Sequence, residues 1–381
     1  MSVRFGFPKN LVRTLLLGVL TILPALRAQE LSPVDTSTWE GYETTFPAMG
    51  STMSIIVYAD SEEKATKAFE EVRLEVARLN DIMSDYEPDS ELNQSLLKAF
   101  NPTPLSIDLW NVLLASEQWS QQTHGAFDAS VGTLTRLWRS ARRTRNAPSK
   151  KAIEEAKSRS GWQHVSLDAS SRSLKIDVTE LKIDLGGIAA GYIIDAAFDV
   201  MDRNGLDHCL INAGGDIRCG ASPPGRQGWR IEVAPIAPRK SALSKPAQKG
   251  TLDNGMQNRE LDSQPLRRIY LSNAAIVTSG DLWQYSEFDG VRRSHIIDPK
   301  TGIGVPGPSV VAVISTKCVD ADAAATAISV MGIEKGMIFA SNHTYLAALM
   351  VNRKPNSETL DYRVTENFPQ GIFDPKSKSE D

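Results

Sequence analysis

The stretch Asp184-Leu-Gly-Gly-Ile-Ala-Ala-Gly-Tyr-Ile-Ile-Asp195 holds a pair of glycines between two apolar segments. The residues Leu181–Leu185 predict a short strand, and the pattern after the glycines predicts a helix over Ala189–Arg203 that ends at Asn204-Gly205. Glycines at such a turn let the backbone approach a ligand closely, and the free N–H groups at a helix start can bind a phosphate. The same pattern also suits a tight turn that binds nothing.

A hairpin is predicted directly after this helix. The segments Cys209–Asn212 and Ile217–Cys219 flank a turn with two further glycines. Pairing of these segments places Cys219 opposite Leu210 and directs Cys209 to the other face. A disulfide between the two is therefore not expected. The odd count of 3 cysteines also argues against a disulfide scaffold or a structural zinc site.

Farther out along the chain, strand and helix patterns mix without a regular βα repeat. This mixture predicts an α+β fold with largely antiparallel sheets packed against helices. Two helices are expected to begin near Ser61 and near Ser106. The remaining expected elements are a helix over Ala321–Met331 and strands over Thr52–Tyr58, Trp229–Val233, Ile269–Leu271, Val310–Ser315 and Tyr345–Val351.

Composition is that of an ordinary globular protein. Of the 381 residues, 41% are hydrophobic and 23% are charged, so the chain can bury one large core or two moderate ones. The formal net charge of −4 gives no reason to expect nucleic acid as a partner.

The N-terminus differs from the rest of the chain. Arg4, Lys9 and Arg13 precede an apolar run over 15–26, and Ala28 supplies a small residue at a plausible cleavage point. This arrangement is typical of a secretory signal peptide, so we expect an exported, periplasmic protein. An uncleaved segment attached to the inner membrane is the alternative.

These observations divide the chain into four parts, the third of which contains an insertion. A signal peptide over 1–28 and an extended leader over 29–45 precede one domain over 46–373. Within that domain, residues 236–268 are polar and rich in Pro, Lys, Ser and Gln, which predicts an insertion. A polar tail covers 374–381.

Asp322 and Thr326 are the candidate metal ligands. Their spacing of four residues places a carboxylate and a hydroxyl on one face of the predicted helix. Both are hard oxygen donors, which Mg²⁺ prefers, usually together with phosphate and water. Alternatively, an aspartate near a helix start merely complements the helix dipole, and Thr326 lies in the core.

His295 is the candidate general base or phosphate-binding residue. It precedes two isoleucines and an Asp-Pro-x-Thr-Gly turn, so a structural histidine is the alternative. Thr278 and Ser279 stand beside a glycine and suit contacts with phosphate, although an ordinary strand end would look the same. Tyr86 suits stacking on a flat ring or a surface role, and Phe127 is by default a core residue.

Eight short motifs occur in one order along the chain, and together they are more specific than any one of them. On these motifs the chain resembles the ApbE family, the FAD:protein FMN transferases, from about Phe46 to Val351. The motifs are Met-Gly-Ser-Thr, Ser-Asp-Tyr-x-x-x-Ser-Glu-Leu, Gly-Ala-Phe-Asp, Asp-Leu-Gly-Gly-Ile-Ala-x-Gly-Tyr, Asn-Ala-Gly-Gly-Asp-Ile-Arg, Thr-Ser-Gly-Asp, Ser-His-Ile-Ile-Asp-Pro-x-Thr-Gly and Ala-Asp-Ala-x-Ala-Thr-Ala.

The resemblance implies an ApbE-like fold and a Mg²⁺-dependent reaction with FAD as substrate. The family transfers FMN from FAD to a Thr or Ser hydroxyl of a target protein, which forms a phosphoester and releases AMP. It also implies that the target is a membrane-associated respiratory electron-transfer protein. An FAD pyrophosphatase that forms FMN and AMP, or a non-catalytic periplasmic FAD-binding protein, remains an alternative.

The resemblance also implies roles for individual residues. His295 would deprotonate the acceptor hydroxyl or stabilise the pentavalent phosphorus, and Asp322 and Thr326 would bind the metal with the carbonyl of Ala189. Many family members have Lys where this chain has Ala190, so one positive charge is absent here. The residues expected around FAD are Met49, Tyr86, Phe127, Asp128, Gly186, Gly187, Asp216, Thr278, Ser279 and Asp281.

Overall fold

Two of the long helices begin where the sequence supplies a capping serine. Ser61 accepts a hydrogen bond from the N–H of Lys64, and Ser106 accepts one from the N–H of Leu109, as the sequence predicts. The computed structural model describes residues 36, 38–233, 267–281, 285–288, 290–353, 360–370 and 372–373. Its helices are α1 (Glu62–Met83), α2 (Glu91–Lys98), α3 (Ile107–Gln122), α4 (Gly132–Thr144), α5 (Lys150–Lys157), α6 (Ala189–Arg203) and α7 (Cys318–Asn342).

The strands have 2 to 9 residues, and those in the first half of the chain are interspersed irregularly with the helices. They are β1 (Glu40–Ala48), β2 (Ser51–Ala59), β3 (Thr103–Pro104), β4 (Val165–Asp168), β5 (Ser173–Ile176), β6 (Cys209–Ala213), β7 (Asp216–Cys219), β8 (Trp229–Val233) and β9 (Arg267–Leu271). The second half contributes β10 (Ala274–Gly280), β11 (Tyr285–Phe288), β12 (Val291–Ser294), β13 (Ile297–Asp298), β14 (Ile303–Gly304), β15 (Ser309–Ser315), β16 (Ala347–Arg353), β17 (Leu360–Val364) and β18 (Ile372–Phe373).

Eight strands form the main sheet in the order β1-β2-β6-β7-β10-β15-β16-β17, and each neighbouring pair is antiparallel. Its strand β15 is buried on both faces. Val311 and Val313 belong to the core shared with α1, α6 and α7, whereas Val310 and Ala312 belong to a second core. That second core includes Trp229 from the three-stranded sheet β18-β9-β8. The main sheet is thus covered by helices on one face and by a small sheet on the other.

The predicted α+β fold with largely antiparallel pairing is confirmed. The hairpin after α6 also has the predicted register, with Leu210 opposite Cys219. All three cysteines are free and buried, as expected from that register.

The structure differs from the prediction for two segments, 181–185 and 29–45. The segment Leu181–Leu185 is not a strand, because the N–H of Asp184 bonds to the carbonyl of Ala129 and not to a sheet partner. Strand β1 begins at Glu40, inside the predicted leader over 29–45, since its alternate residues pack toward the core. The predicted signal peptide, most of the predicted insertion and the tail lie outside the described residues.

Helix α7 is longer than the predicted helix. It passes Met331 and breaks at Gly332, where φ is +75° and ψ is 174°. By length and composition it is the one described helix that could cross a membrane, with a mean hydropathy of 1.3. Its first half is nevertheless a core element, since Ala321, Ala325 and Ile328 are fully buried.

Candidate functional site

The glycine turn before α6 packs directly against the first turns of α7. The N–H of Gly191 donates to Oδ2 of Asp322 over 3.1 Å. A Cβ added to Gly187 would lie 2.8 Å from Oγ1 of Thr326, so a side chain there would collide with the threonine. The structure therefore brings the glycine stretch and both predicted metal-ligating side chains together.

Gly191 is expected to be intolerant of any side chain. A Cβ there would lie 2.5 Å from the carbonyl oxygen of Cys318, which is backbone and has little room to move. We expect Gly191→Ala to lower the free energy of unfolding by about 1–3 kcal/mol, the usual range for overpacking. Denaturant unfolding measures this loss. Gly41→Ala is the matched control, since its Cβ would meet only an ordinary contact with Tyr58 at 3.5 Å, and an equal loss in both variants would contradict the interpretation.

Asp195, at the end of the glycine stretch, caps the start of α7. Its Oδ1 accepts from the N–H of Cys318 over 2.9 Å, and its Oδ2 accepts from the N–H of Val319 over 3.0 Å. Burial raises the pKa of Asp195 to about 6, although these two bonds and the charge of Arg218 oppose the rise. This contact orients the helix that carries Asp322, and sequence reasoning did not identify it.

Asp216 supplies a second carboxylate near Asp322. It begins β7, and its Oδ1 accepts from the N–H of Thr278 over 3.4 Å. Burial raises the pKa of Asp216 to about 7. The pKa of Asp322 is raised well above its ordinary value by burial and then by the negative charge of Asp216. In the described part of the chain, neither carboxylate has a salt-bridge partner.

This pair of mutually repelling carboxylates, one buried and one half-buried, fits a divalent cation. Thr326 adds a hydroxyl, and Ala189 is the first residue of α6, beside the same turn. Across the described ranges, no group of three or more His, Cys, Asp or Glu residues is arranged to hold a metal by itself. Mg²⁺ needs few protein ligands, because it commonly keeps waters and binds substrate phosphates.

Met49, Thr278 and Ser279 lie along the edge of the main sheet next to the glycine turn. Met49 has a φ of +50° in the turn between β1 and β2. That turn lies beside the β6–β7 turn, since a Cβ on Gly214 would be 3.1 Å from Oγ of Ser51. On β10, Thr278 is exposed and Ser279 is half-buried.

Asp281 is fully buried and engaged within the protein. Its Oδ1 accepts from the N–H of Ser309 over 2.8 Å, and its Oδ2 accepts from Nε of Arg292 over 3.3 Å. These bonds join the end of β10 to β15 and to β12. His295 follows β12 directly and is half-buried, in a loop where Oγ of Ser294 accepts from the N–H of Ile296. Asp281 therefore supports the hairpin that leads to His295.

Phe127 and Asp128 lie in a turn that packs against the glycine stretch. Phe127 is a core residue with 2% exposure. Oδ1 of Asp128 accepts from both the N–H and the hydroxyl of Ser130, over 2.8 and 2.6 Å, and burial raises the pKa of Asp128. The bond from Asp184 N–H to the Ala129 carbonyl, 2.7 Å long, ties this turn to the glycine stretch.

Tyr86 is 71% exposed, and the guanidinium of Arg139 lies 4.3 Å from the centre of its ring. The ring borders a cavity of about 420 Å³. Arg139 also pairs with Asp85 and with Asp184, whose other oxygen accepts from the N–H of Gly186 over 2.8 Å. Other residues that line the cavity are Asn93, Leu97, Arg136 and Lys182.

The structure thus gathers the site residues at the glycine turn and in the loop that contains Tyr86. One group surrounds the glycine turn and contains Gly187, Ala189, Asp216, Thr278, Asp322 and Thr326. The Tyr86 loop joins the turn through Arg139, which sequence reasoning missed because no local pattern marks its partners.

Comparison with known proteins places this architecture in a family. The sequence model of the ApbE family matches residues 49–350. The FAD:protein FMN transferase of Vibrio cholerae serotype O1 is 31% identical over 304 residues, covering 77% of this chain and 82% of that protein. The FAD:protein FMN transferase of Escherichia coli K12 is 27% identical over 315 residues, covering 81% and 83%.

Solved structures agree with the sequence match. The flavin transferase ApbE from Vibrio cholerae has a TM-score of 0.68 at 26% identity, covering 87% of this chain and 98% of that chain. The apo form of the Pseudomonas stutzeri flavinyl transferase ApbE has a TM-score of 0.71 at 26% identity, covering 86% and 95%. The family match covers well over half of the chain, and the fold agrees with it, so this chain belongs to the ApbE family.

Proposed function

We propose that this protein transfers FMN from FAD to a Thr or Ser hydroxyl of a target protein and releases AMP. One observation carries the proposal. Asp322 is a buried carboxylate and Asp216 a half-buried one beside a glycine turn, and no cation of the described chain pairs with either. A divalent cation would balance the negative charge of these carboxylates and could in turn bind a phosphate-bearing ligand, and the chain belongs to a family of flavin transferases.

Each group around the turn has a role in this reaction. Asp322, Thr326 and the carbonyl of Ala189 would hold Mg²⁺, which when bound neutralises charge on the diphosphate. The backbone of Gly186 and Gly187 would face the diphosphate, and the lack of a side chain on Gly187 lets Thr326 lie against the same turn. The acceptor hydroxyl attacks the FMN phosphorus and gives its proton to His295, while the bond from that phosphorus to the bridging oxygen breaks and AMP leaves.

Other residues of the site would bind the rest of FAD. We propose that Met49 and Tyr86 border its flat rings, and that Thr278 and Ser279 line the phosphate side. Asp216 and Asp128 would hydrogen-bond within the same pocket. Phe127 and Asp281 are buried, so we propose that they stabilise the wall of this pocket and do not contact FAD.

We also propose that the enzyme acts outside the cytoplasm. This proposal is supported by the basic residues and the apolar run at the N-terminus, with Ala28 at a plausible cleavage point. The target would then be the extracytoplasmic part of a membrane-associated respiratory electron-transfer protein. N-terminal sequencing of the protein from the periplasmic fraction tests the export, and a chain that remains in the cytoplasm would refute it.

The decisive experiment incubates the protein lacking residues 1–28 with FAD, Mg²⁺ and an acceptor domain. Transfer predicts AMP release together with a fluorescent acceptor band on a denaturing gel. AMP and free FMN without a labelled acceptor would instead identify an FAD pyrophosphatase. If neither AMP nor FMN forms, the protein binds FAD without catalysis. A parallel reaction with excess EDTA tests the metal requirement.

Tyr86→Ala is expected to weaken FAD binding about tenfold, the size expected when a stacked aromatic ring is lost. The ring is largely exposed, so its removal should leave the fold intact. Titration of FAD fluorescence measures the affinity. Tyr270→Ala is the matched control, because that tyrosine is also exposed but lies on β9 of the small sheet. Unchanged FAD affinity in Tyr86→Ala would remove Tyr86 from the pocket.

A further inference from the structure

Two carboxylates from distant parts of the chain lie close together beside the glycine turn. Asp85 belongs to the loop after α1, and Asp184 belongs to the segment before α6. Their side chains are 10% and 11% exposed, and burial, followed by the charge of Asp184, raises the pKa of Asp85. Two such groups repel each other unless a cation lies between them.

Arg139 of α4 supplies that cation. Its Nη1 donates to Oδ2 of Asp85, and its Nη2 donates to Oδ2 of Asp184 over 3.1 Å. A planar guanidinium with two forked donors can hold both carboxylates at once, which a lysine ammonium on a flexible chain cannot do as rigidly. We name this arrangement of Asp85, Arg139 and Asp184 the Arg139 bridge.

Each end of the Arg139 bridge contacts a segment that is expected to bind FAD. At one end, Tyr86 directly follows Asp85, and its ring lies under the guanidinium. At the other end, Oδ1 of Asp184 accepts from the N–H of Gly186, so the carboxylate shapes the glycine turn. The bridge therefore links the aromatic ring of Tyr86 to the backbone of the turn.

Helix α4, which carries Arg139, is itself anchored by hydrogen bonds to neighbouring segments. Trp138, the neighbour of Arg139 on α4, donates from Nε1 to the carbonyl of Gly302 over 2.8 Å. Arg136 donates to the carbonyl of Asp85 over 3.0 Å and to Oδ1 of Asn93 over 3.2 Å. Helix α4 thus provides a rigid support from which Arg139 reaches both segments.

We propose that Arg139 is a positioning residue that sets the spacing between Tyr86 and the glycine turn. This proposal rests on the proposed function, in which Tyr86 contacts a flat ring of FAD and the turn contacts its diphosphate. A dinucleotide must satisfy both contacts at once, so a change in their spacing weakens binding and misaligns the phosphorus. Arg139 acts through Asp85 and Asp184 and does not touch the reacting atoms.

The test compares Arg139→Gln with Arg78→Gln. Arg78 also joins two carboxylates, Glu75 over 2.7 Å and Asp108 over 2.8 Å, and both of these partners lie outside 84–87 and 184–188. We expect Arg139→Gln to lower both FAD affinity and the rate of AMP release, by about 10- to 100-fold together. Hydrogen–deuterium exchange should accelerate in peptides that cover 84–87 and 184–188. Arg78→Gln should change neither.

Two results would overturn the proposal. Unchanged exchange in both peptides with weaker FAD binding would mean that Arg139 contacts FAD directly. Faster exchange with unchanged affinity and rate would mean that the spacing does not matter. Failure of the proposed function is distinguishable, because it appears as absence of AMP release by the unmodified enzyme, whereas the exchange comparison needs no substrate. Partial rescue by Arg139→Lys would support a role for the charge, with the missing fork as the remaining defect.

Discussion

Replacing Asp322 with alanine is expected to lower Mg²⁺-dependent release of AMP from FAD about 1,000-fold, equivalent to about 4 kcal/mol of transition-state stabilisation. The physical reason is the loss of a buried carboxylate ligand where the diphosphate must be neutralised. AMP release at saturating FAD over a series of Mg²⁺ concentrations measures the effect. Near-normal turnover would refute the role of Asp322 as a ligand.

Two further variants separate the charge of Asp322 from its structural contact. Asp322→Asn retains an oxygen that can accept from the N–H of Gly191, but it removes the charge. We expect it to lose activity like the alanine variant while unfolding at a temperature no lower than the unmodified protein, because its repulsion with Asp216 disappears. Asp320→Asn is the matched control, since that carboxylate accepts from Nε1 of Trp119 instead.

His295→Ala is expected to slow transfer about 100- to 10,000-fold, the usual contribution of a general base, while FAD affinity changes less than about twofold. The difference arises because His295 would act on the acceptor proton and not on FAD. Single-turnover measurement of labelled acceptor gives the rate, and fluorescence titration gives the affinity.

The control for His295 is another histidine with a known partner. His164, which directly precedes β4, forms a 2.7 Å contact with Asp177, which directly follows β5, so His164→Ala should leave transfer unchanged. If FAD binding collapses in His295→Ala, then His295 is a ligand contact or a structural residue. A lowered unfolding temperature would identify the structural case.

Elements with strong local signals were predictable from the sequence. The capping serines at Ser61 and Ser106 placed the starts of α1 and α3, and the apolar run of β15 marked a buried strand. The segment Leu181–Leu185 alternates in the same way as a strand, yet the prediction was wrong. Its three apolar residues are buried, but its backbone bonds go to Ala129 and to Thr133 of neighbouring segments, which periodicity cannot reveal.

The candidate site was predictable only in part, for the same reason. The four-residue spacing of Asp322 and Thr326 is local, and the structure places both beside the predicted glycine turn. The contact of Asp195 with α7 and the pairing of Arg139 with two aspartates join residues more than 40 positions apart. Nothing in their immediate neighbourhood distinguishes these side chains from solvated surface charges, so only the folded chain identifies them.

Helices α6 and α7 cap each other reciprocally. An N–H of α6 donates to Asp322 of α7, while two N–H groups of α7 donate to Asp195 of α6. Sliding or rotation of one helix against the other would break bonds at both ends at once. We therefore expect α6 and the first turns of α7 to move together, so that any opening that admits a dinucleotide or expels a nucleotide product occurs in the surrounding loops.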